Sequence, residues 1–112
     1  MIAAAALLLT LMNGVRDTPV DPGAQLADYA VAQARIMAED GAISHSDLAL
    51  FGRFDAVGEI VGVGGDVEAV FSAFLDSPPH RRILLSDRWD KAGIGVVRSD
   101  GRTYVAVVFG DE

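Results

Sequence analysis

Residues 92–109 constrain the fold more than any other stretch of this chain. Two β-branched runs, Ala92-Gly93-Ile94-Gly95-Val96-Val97-Arg98 and Thr103-Tyr104-Val105-Ala106-Val107-Val108-Phe109, meet at Asp100-Gly101. That dipeptide tolerates positive φ at the bend, so the runs read as a β-hairpin. Upstream the periodicity is helical. Val67, Val70, Phe71, Phe74 and Leu75 fall at i, i+3, i+4, i+7 and i+8 behind Asp66, which reads as an N-cap. Leu26, Ala30, Gln33, Ala34 and Met37 repeat the helical spacing, Tyr29 and Ile36 widen that face, and Gly41 is the expected C-cap. Val57–Val63 is short, β-branched and bounded by glycines, which predicts a third strand. Helices grouped in the first two thirds and strands closing the chain predict an α+β fold with a small, mainly antiparallel sheet.

The connections are read from their breakers. Asp17–Gly23 predicts a turn that ends with Asp21 as N-cap and Pro22 as the first helical residue. Residues 46–56 show no period and read as a loop with a turn of helix, pinned to the core by Phe51 and Phe54, and Asp87–Asp90 reads as a turn. In Ser77-Pro78-Pro79-His80-Arg81-Arg82-Ile83-Leu84-Leu85, Ser77 suits the N-cap and Pro78 the first helical position, which places His80 in the first turn.

With 112 residues the chain is read as one domain, residues 1–112, long enough to bury roughly two thirds of the surface its unfolded form exposes. The absence of cysteine excludes disulfides, cysteine-ligated zinc, iron–sulfur clusters and thiol catalysis. A formal net charge of −7 argues against nucleic acid and anionic membrane surfaces as partners. The apolar segment Met1–Met12 lacks the basic region of a signal peptide and is too short to span a bilayer. It is therefore expected to be a buried first helix continuing through Arg16, with any secretory signal upstream.

Candidate chemistry is sparse. Gly62-Val63-Gly64-Gly65-Asp66 follows a strand and opens a helix as a dinucleotide fingerprint would, but Val67 stands where the third glycine is required and Asp66 would repel a pyrophosphate. Ser44, Ser46 and Ser77 lie near histidines without a nucleophile elbow, and helix-exit hydrogen bonding or capping accounts for them. Glu59 is a carboxylate within an apolar strand. It either faces solvent, which the spacing favours, or joins a buried polar cluster. His45 and His80 both sit at element ends, where side chains can converge with Glu59. Two histidines and a glutamate make a known zinc set, although their spacing carries no ligand signature.

At this point the chain resembles a known family. Leu11-Met12-Asn13-Gly14-Val15-Arg16, His45 after the long helix, Gly58-Glu59-Ile60-Val61, the Phe74–Leu84 element, Gly93-Ile94-Gly95-Val96 and Val107-Val108-Phe109-Gly110 look like the successive motifs of bacterial CAP domains. That superfamily comprises cysteine-rich secretory proteins, antigen 5 and plant pathogenesis-related 1 proteins. The resemblance implies a three-layer α-β-α sandwich and a surface cavity in which His45, Glu59 and His80 would be the family's His, Glu and His. Phe74 stands where the family usually has Trp, Pro79 where it has Gly, and Ile60 where it has Asn. The larger members' second cavity Glu aligns with Ser77, and the neighbouring Asp76 is rotated by about 100° on a helix, so that role does not transfer.

The expected function is a small exported binding domain, secreted or held in the cell envelope. Its cavity would take a small polar, lipid-like or envelope ligand, with no required cofactor. Zinc or another divalent cation would sit on His45 and His80. No residue is assigned as catalytic, and a monomer with no membrane span is expected. The alternative is a metal-dependent hydrolase with Glu59 as general base, and a third reading makes the three residues a structural hydrogen-bonded knot.

Overall fold

The computed structural model describes residues 3–47 and 54–111. Along the chain run α1 (Ala4–Val15), β1 (Asp21–Pro22), α2 (Ala24–Asp40), β2 (Ala56–Gly64), α3 (Val67–Asp76), α4 (Pro78–Leu85), β3 (Lys91–Ser99) and β4 (Arg102–Asp111). The strands form one sheet in the order β1-β3-β4-β2, antiparallel except for the β1–β3 pair. Helices pack on both faces of the sheet, giving the α+β architecture that the periodicities predict.

The local signals behave as their chemistry dictates. Asp100 and Gly101 both take positive φ, 52° and 77°, as a tight two-residue hairpin requires. Gly41 ends α2 in the left-handed conformation at φ 68°, and the Asp66 carboxylate accepts the Ala69 N–H at 2.8 Å to cap α3. The first helix buries Leu8 and Met12 completely and stops one residue before Arg16.

One expected helix start is instead a strand. Asp21 donates its N–H to the Asp90 carbonyl and Gly23 donates to Ala92, each at 2.9 Å, so residues 21–22 pair with β3 and α2 begins only at Ala24. Pro22 has no N–H to offer the ladder, which suits it to this sheet edge. The pairing partner lies about 70 residues away, out of reach of any local pattern.

The sheet divides the core in two. On one face α1, α3 and α4 bury Leu8, Met12, Ile60, Phe74, Leu84, Trp89 and Phe109. On the other, α2 lies over Val61, Tyr104, Ala106 and Val108, contributing Leu26, Ala30, Ala34 and Met37. The Gly-x-Gly of β3 makes the second packing possible. A Cβ on Gly93 would fall 2.1 Å from the α2 backbone at Leu26 and Ala27, and one on Gly95 would fall 2.2 Å from the Ala30 carbonyl oxygen. Helix and strand therefore touch backbone to backbone, which only glycine permits.

Asn13 and Arg16 explain the motif at the end of α1. The Asn13 amide donates to the Val20 carbonyl at 3.1 Å and accepts the Val20 N–H at 2.9 Å, imitating a strand partner. Arg16 is buried, and its guanidinium donates to the carbonyls of Thr18, Leu84, Ser86 and Trp89. Burial holds its pKa below the ordinary guanidinium value, and the charge of Asp87 acts in the opposite sense.

Candidate functional site

Glu59 lies on the α2 side of β2, between Val57 and Val61, because alternate residues of a strand share a face. The solvent-facing position that spacing favours is therefore wrong: the residue is 4 % exposed and its side chain fully buried. What makes this tolerable is the segment leaving α2. The Ser46 backbone N–H donates to Oε1 at 2.8 Å, the Ser46 hydroxyl donates to Oε2 at 2.5 Å, and His45 Nδ1 lies 2.9 Å from Oε1. A carboxylate acceptor requires Nδ1 to carry a proton, so in the neutral imidazole the acceptor nitrogen is Nε2, on the opposite side of the ring. That side is open to water, since the His45 side chain is 62 % exposed.

Gln33 completes the support. Its amide, buried on α2, donates to the Ser44 carbonyl at 2.8 Å and to the Ser44 hydroxyl at 2.9 Å. The turn after Gly41 is thus anchored at Ser44 by α2 and at His45 and Ser46 by β2. Sequence reasoning places Gln33 only on the apolar face of a helix and gives Ser46 only a helix-exit role. The available signal was an amide within an otherwise apolar stripe, which is tolerated in a core only with partners of its own.

His80 has a different setting. It stands in the first turn of α4 and stacks on Phe74, with ring centroids 5.4 Å apart at 29°. Its Nδ1 lies 2.8 Å from the Ser77 hydroxyl oxygen. Ser77 does occupy the N-cap position, but its side chain makes no cap hydrogen bond. Pro79 removes the N–H of the second helical position, one of the two donors a cap can use, and the Ser77 hydroxyl lies against the His80 imidazole instead of the remaining His80 N–H.

His80 and Ser77 rim an open depression of about 270 Å³ whose walls are Ile43, Val61, Val63, Val70 and Phe74. Ile43 and Val63 are 51 % and 39 % exposed there. The structure thus joins His45 to Glu59 directly, and places His80 with the apolar depression that Ile43, two residues before His45, also borders. Among the described residues no three His, Asp or Glu side chains come together as a metal-ligand group. Both Glu59 oxygens are committed to hydrogen bonds, so a preformed His-Glu-His ligand set does not fit this arrangement; the donors available to a cation are the imidazole Nε2 atoms. Phe51, the other aromatic expected to pin the 46–56 loop, lies outside the described residues. Phe54 packs against Gly110 and the α2 face of the core.

The model of the cysteine-rich secretory protein family, CAP, matches residues 13–110. The chain belongs to that family. The match runs from Asn13 near the end of α1 to Gly110 in β4 and includes His45, Glu59 and His80. Solved structures agree on the fold of this CAP domain. An outer surface protein of Borrelia burgdorferi superposes with a TM-score of 0.84 at 22 % identity, over 95 % of this chain and 90 % of that one. Venom allergen-like protein 4 of Schistosoma mansoni gives 0.82 at 12 % identity, over 99 % and 90 %. An extracellular SCP-domain protein of Bacillus anthracis gives 0.81 at 22 % identity, and 95 % of this chain covers 39 % of it. No curated protein matches the chain. Among the described residues no helix is long and apolar enough to cross a membrane.

Proposed function

We propose that this CAP domain is a binding module of the cell exterior or envelope that holds a small ligand between His45 and the His80 depression. The observation that carries the reading is the commitment of Glu59. Its side chain is fully buried and both oxygens accept hydrogen bonds, which makes it an orienting group for His45 and denies it the access to water that a general base needs. Binding is accordingly favoured over the hydrolase alternative. The exposed Nε2 of His45 supplies a polar contact, and the depression at Phe74 and Val63 supplies an apolar one, so the ligand has a polar head and a short apolar body.

The same imidazole nitrogens can hold a divalent cation such as zinc weakly, because neither is backed by a free carboxylate. The extracellular setting rests on the outer-surface and extracellular proteins that share the fold. Calorimetry at neutral pH with zinc, on wild type, His45→Ala, His80→Ala and Glu59→Gln, tests the polar half, and native mass spectrometry against polar-headed amphiphiles tests the whole. Loss of zinc heat in His45→Ala supports the site; equal heats in all four proteins remove it. Casein or peptide turnover that survives extensive purification and vanishes in Glu59→Gln would replace binding with hydrolysis.

A further inference from the structure

The sheet ends, on the side away from β2, in a strand that is only partly covered. β1 pairs with Lys91 and Ala92 of β3 and then leaves the sheet at Gly23 to start α2. Among the described residues no strand pairs with β3 beyond Ala92 on that side. Register against β4 runs unbroken from Lys91↔Gly110 to Ser99↔Arg102, so the direction of every peptide group of β3 is known. Ala92 accepts from Gly23, and peptide groups alternate along a strand. Ile94, Val96 and Arg98 therefore point their N–H and C=O away from β4, along the line that β1 abandons.

A slot accompanies this free ladder. Where β1 stops, an apolar depression of about 230 Å³ opens, floored by Pro22, Gly93 and Ile94 and walled by Ala5, Leu9 and Ala27. Farther along β3, over its face toward Thr103 of β4, a second depression is lined by Val96 and Leu7, with Asp66 and Glu68 at its rim and the Arg98 guanidinium held to Gly65 and Thr103. Of the side chains of α1 and its N-cap that line the two depressions, Ala3–Ala6 are small, and Leu7 and Leu9 supply the apolar walls. Edge strands are ordinarily guarded by Pro, inward charges or bulges; from Gly93 to Val97 this one carries none of them.

We propose that the β3 edge is a docking site for an extended peptide segment of a partner protein, added to the sheet as a fifth strand in continuation of β1. Main-chain hydrogen bonds to Ile94, Val96 and Arg98 supply the register. An apolar side chain enters the depression at Ile94, and a basic residue follows toward Asp66 and Glu68, where the protein's charge of −7 also favours it. This site is on the opposite edge of the sheet from β2 and does not depend on the His45 reading.

The test is amide NMR of the isotope-labelled protein titrated with two acetylated, amidated pentapeptides, Val-Thr-Val-Lys-Lys and Val-Thr-Val-Glu-Glu. Before addition, the amides of Ile94 and Val96 should exchange much faster than those of Gly93 and Gly95. On addition of the basic peptide they should shift and slow, with the acidic peptide binding several-fold more weakly. Val96→Pro removes one donor and should weaken binding by about threefold to tenfold; should that variant misfold, Ala6→Gln, on the exposed surface of α1 beside the first depression, should weaken it as well. Slow exchange at Ile94 and Val96 without peptide, no shift along the edge at millimolar peptide, equal affinity for both peptides, or shifts that follow protein concentration alone would each overturn the proposal, the last by making a second copy the occupant.

Discussion

The two faces of the sheet are packed on different principles. Beneath α2 the contact is backbone on backbone: Gly93 and Gly95 have no side chain, and the helix answers largely with small residues such as Ala30 and Ala34. On the opposite face glycines meet rings. A Cβ on Gly58 would approach Trp89 at 2.8 Å, and one on Gly62 would approach Phe74 at 2.9 Å. Rings can tilt and a helix backbone cannot, so the α2 face has almost no freedom to adjust while the other has some. The candidate site draws on both. Glu59 and the segment that satisfies it belong to the stiff face, and His80 with Phe74 belongs to the adaptable one.

The comparison breaks most easily at β3. Gly95→Ala should destabilise the domain by about 3 kcal/mol or more, since overpacking against fixed backbone exceeds the usual range for a methyl group. Gly62→Ala should lose only about 1–2 kcal/mol, because Phe74 can give way. Equal losses in urea denaturation would mean that the faces do not differ. Next comes Arg16→Met, which orphans buried carbonyls of Leu84 and Trp89 and should lose about 2–3 kcal/mol in the same measurement. A loss under about 0.5 kcal/mol would show that water replaces the guanidinium.

Smaller effects sharpen the division within the site. Glu59→Gln should lose about 1–2 kcal/mol, as the new amide N–H₂ confronts donors at Ser46. His45→Ala should change stability by less than about 0.5 kcal/mol, as is usual for an exposed side chain, while removing zinc heat. A large loss of stability in His45→Ala would make the pair a structural knot and not a binding element. Smallest of all, Ser77→Ala should cost well under about 1 kcal/mol because its hydroxyl caps nothing; its measurable consequence should be a change in the His80 ring resonances.

What was legible in the sequence was whatever is decided within a few residues. The spacing of Val67, Val70 and Phe74, the cap at Asp66, the stop at Gly41 and the Asp100-Gly101 bend are each decided by short-range sterics, and each appears where it was expected. The strand at Asp21-Pro22 was not legible, because its partner is remote in the chain. Glu59 was misread for a related reason. An edge strand with one charge looks solvated until the donors at Ser46 and His45, drawn in from another element, are known. The Ser77 side chain departs from its cap rule because Pro79 removes one of the two possible donors and the His80 ring offers the hydroxyl a competing partner. Family resemblance gathers His45, Glu59 and His80 into one cavity; the hydrogen bonds join His45 to Glu59, and His80 stands on the apolar rim that Ile43 also borders.

The Arg16 clamp carries a consequence for the order in which the chain can mature. Its carbonyl partners at Leu84, Ser86 and Trp89 lie 68, 70 and 73 residues downstream. Contacts of such separation close late, after the intervening loop entropy has been overcome. During synthesis the first helix therefore emerges with its cationic end unsatisfied and must wait for the last third of the chain. Pulse-labelled hydrogen exchange should find the Asn13–Arg16 amides gaining protection together with those of β3 and β4, and earlier protection would show that the helix consolidates without its clamp. If the clamp is the last bolt, a nascent chain stalled before Leu84 leaves α1 unlocked, and the lock closes only when the segment through Trp89 has been made.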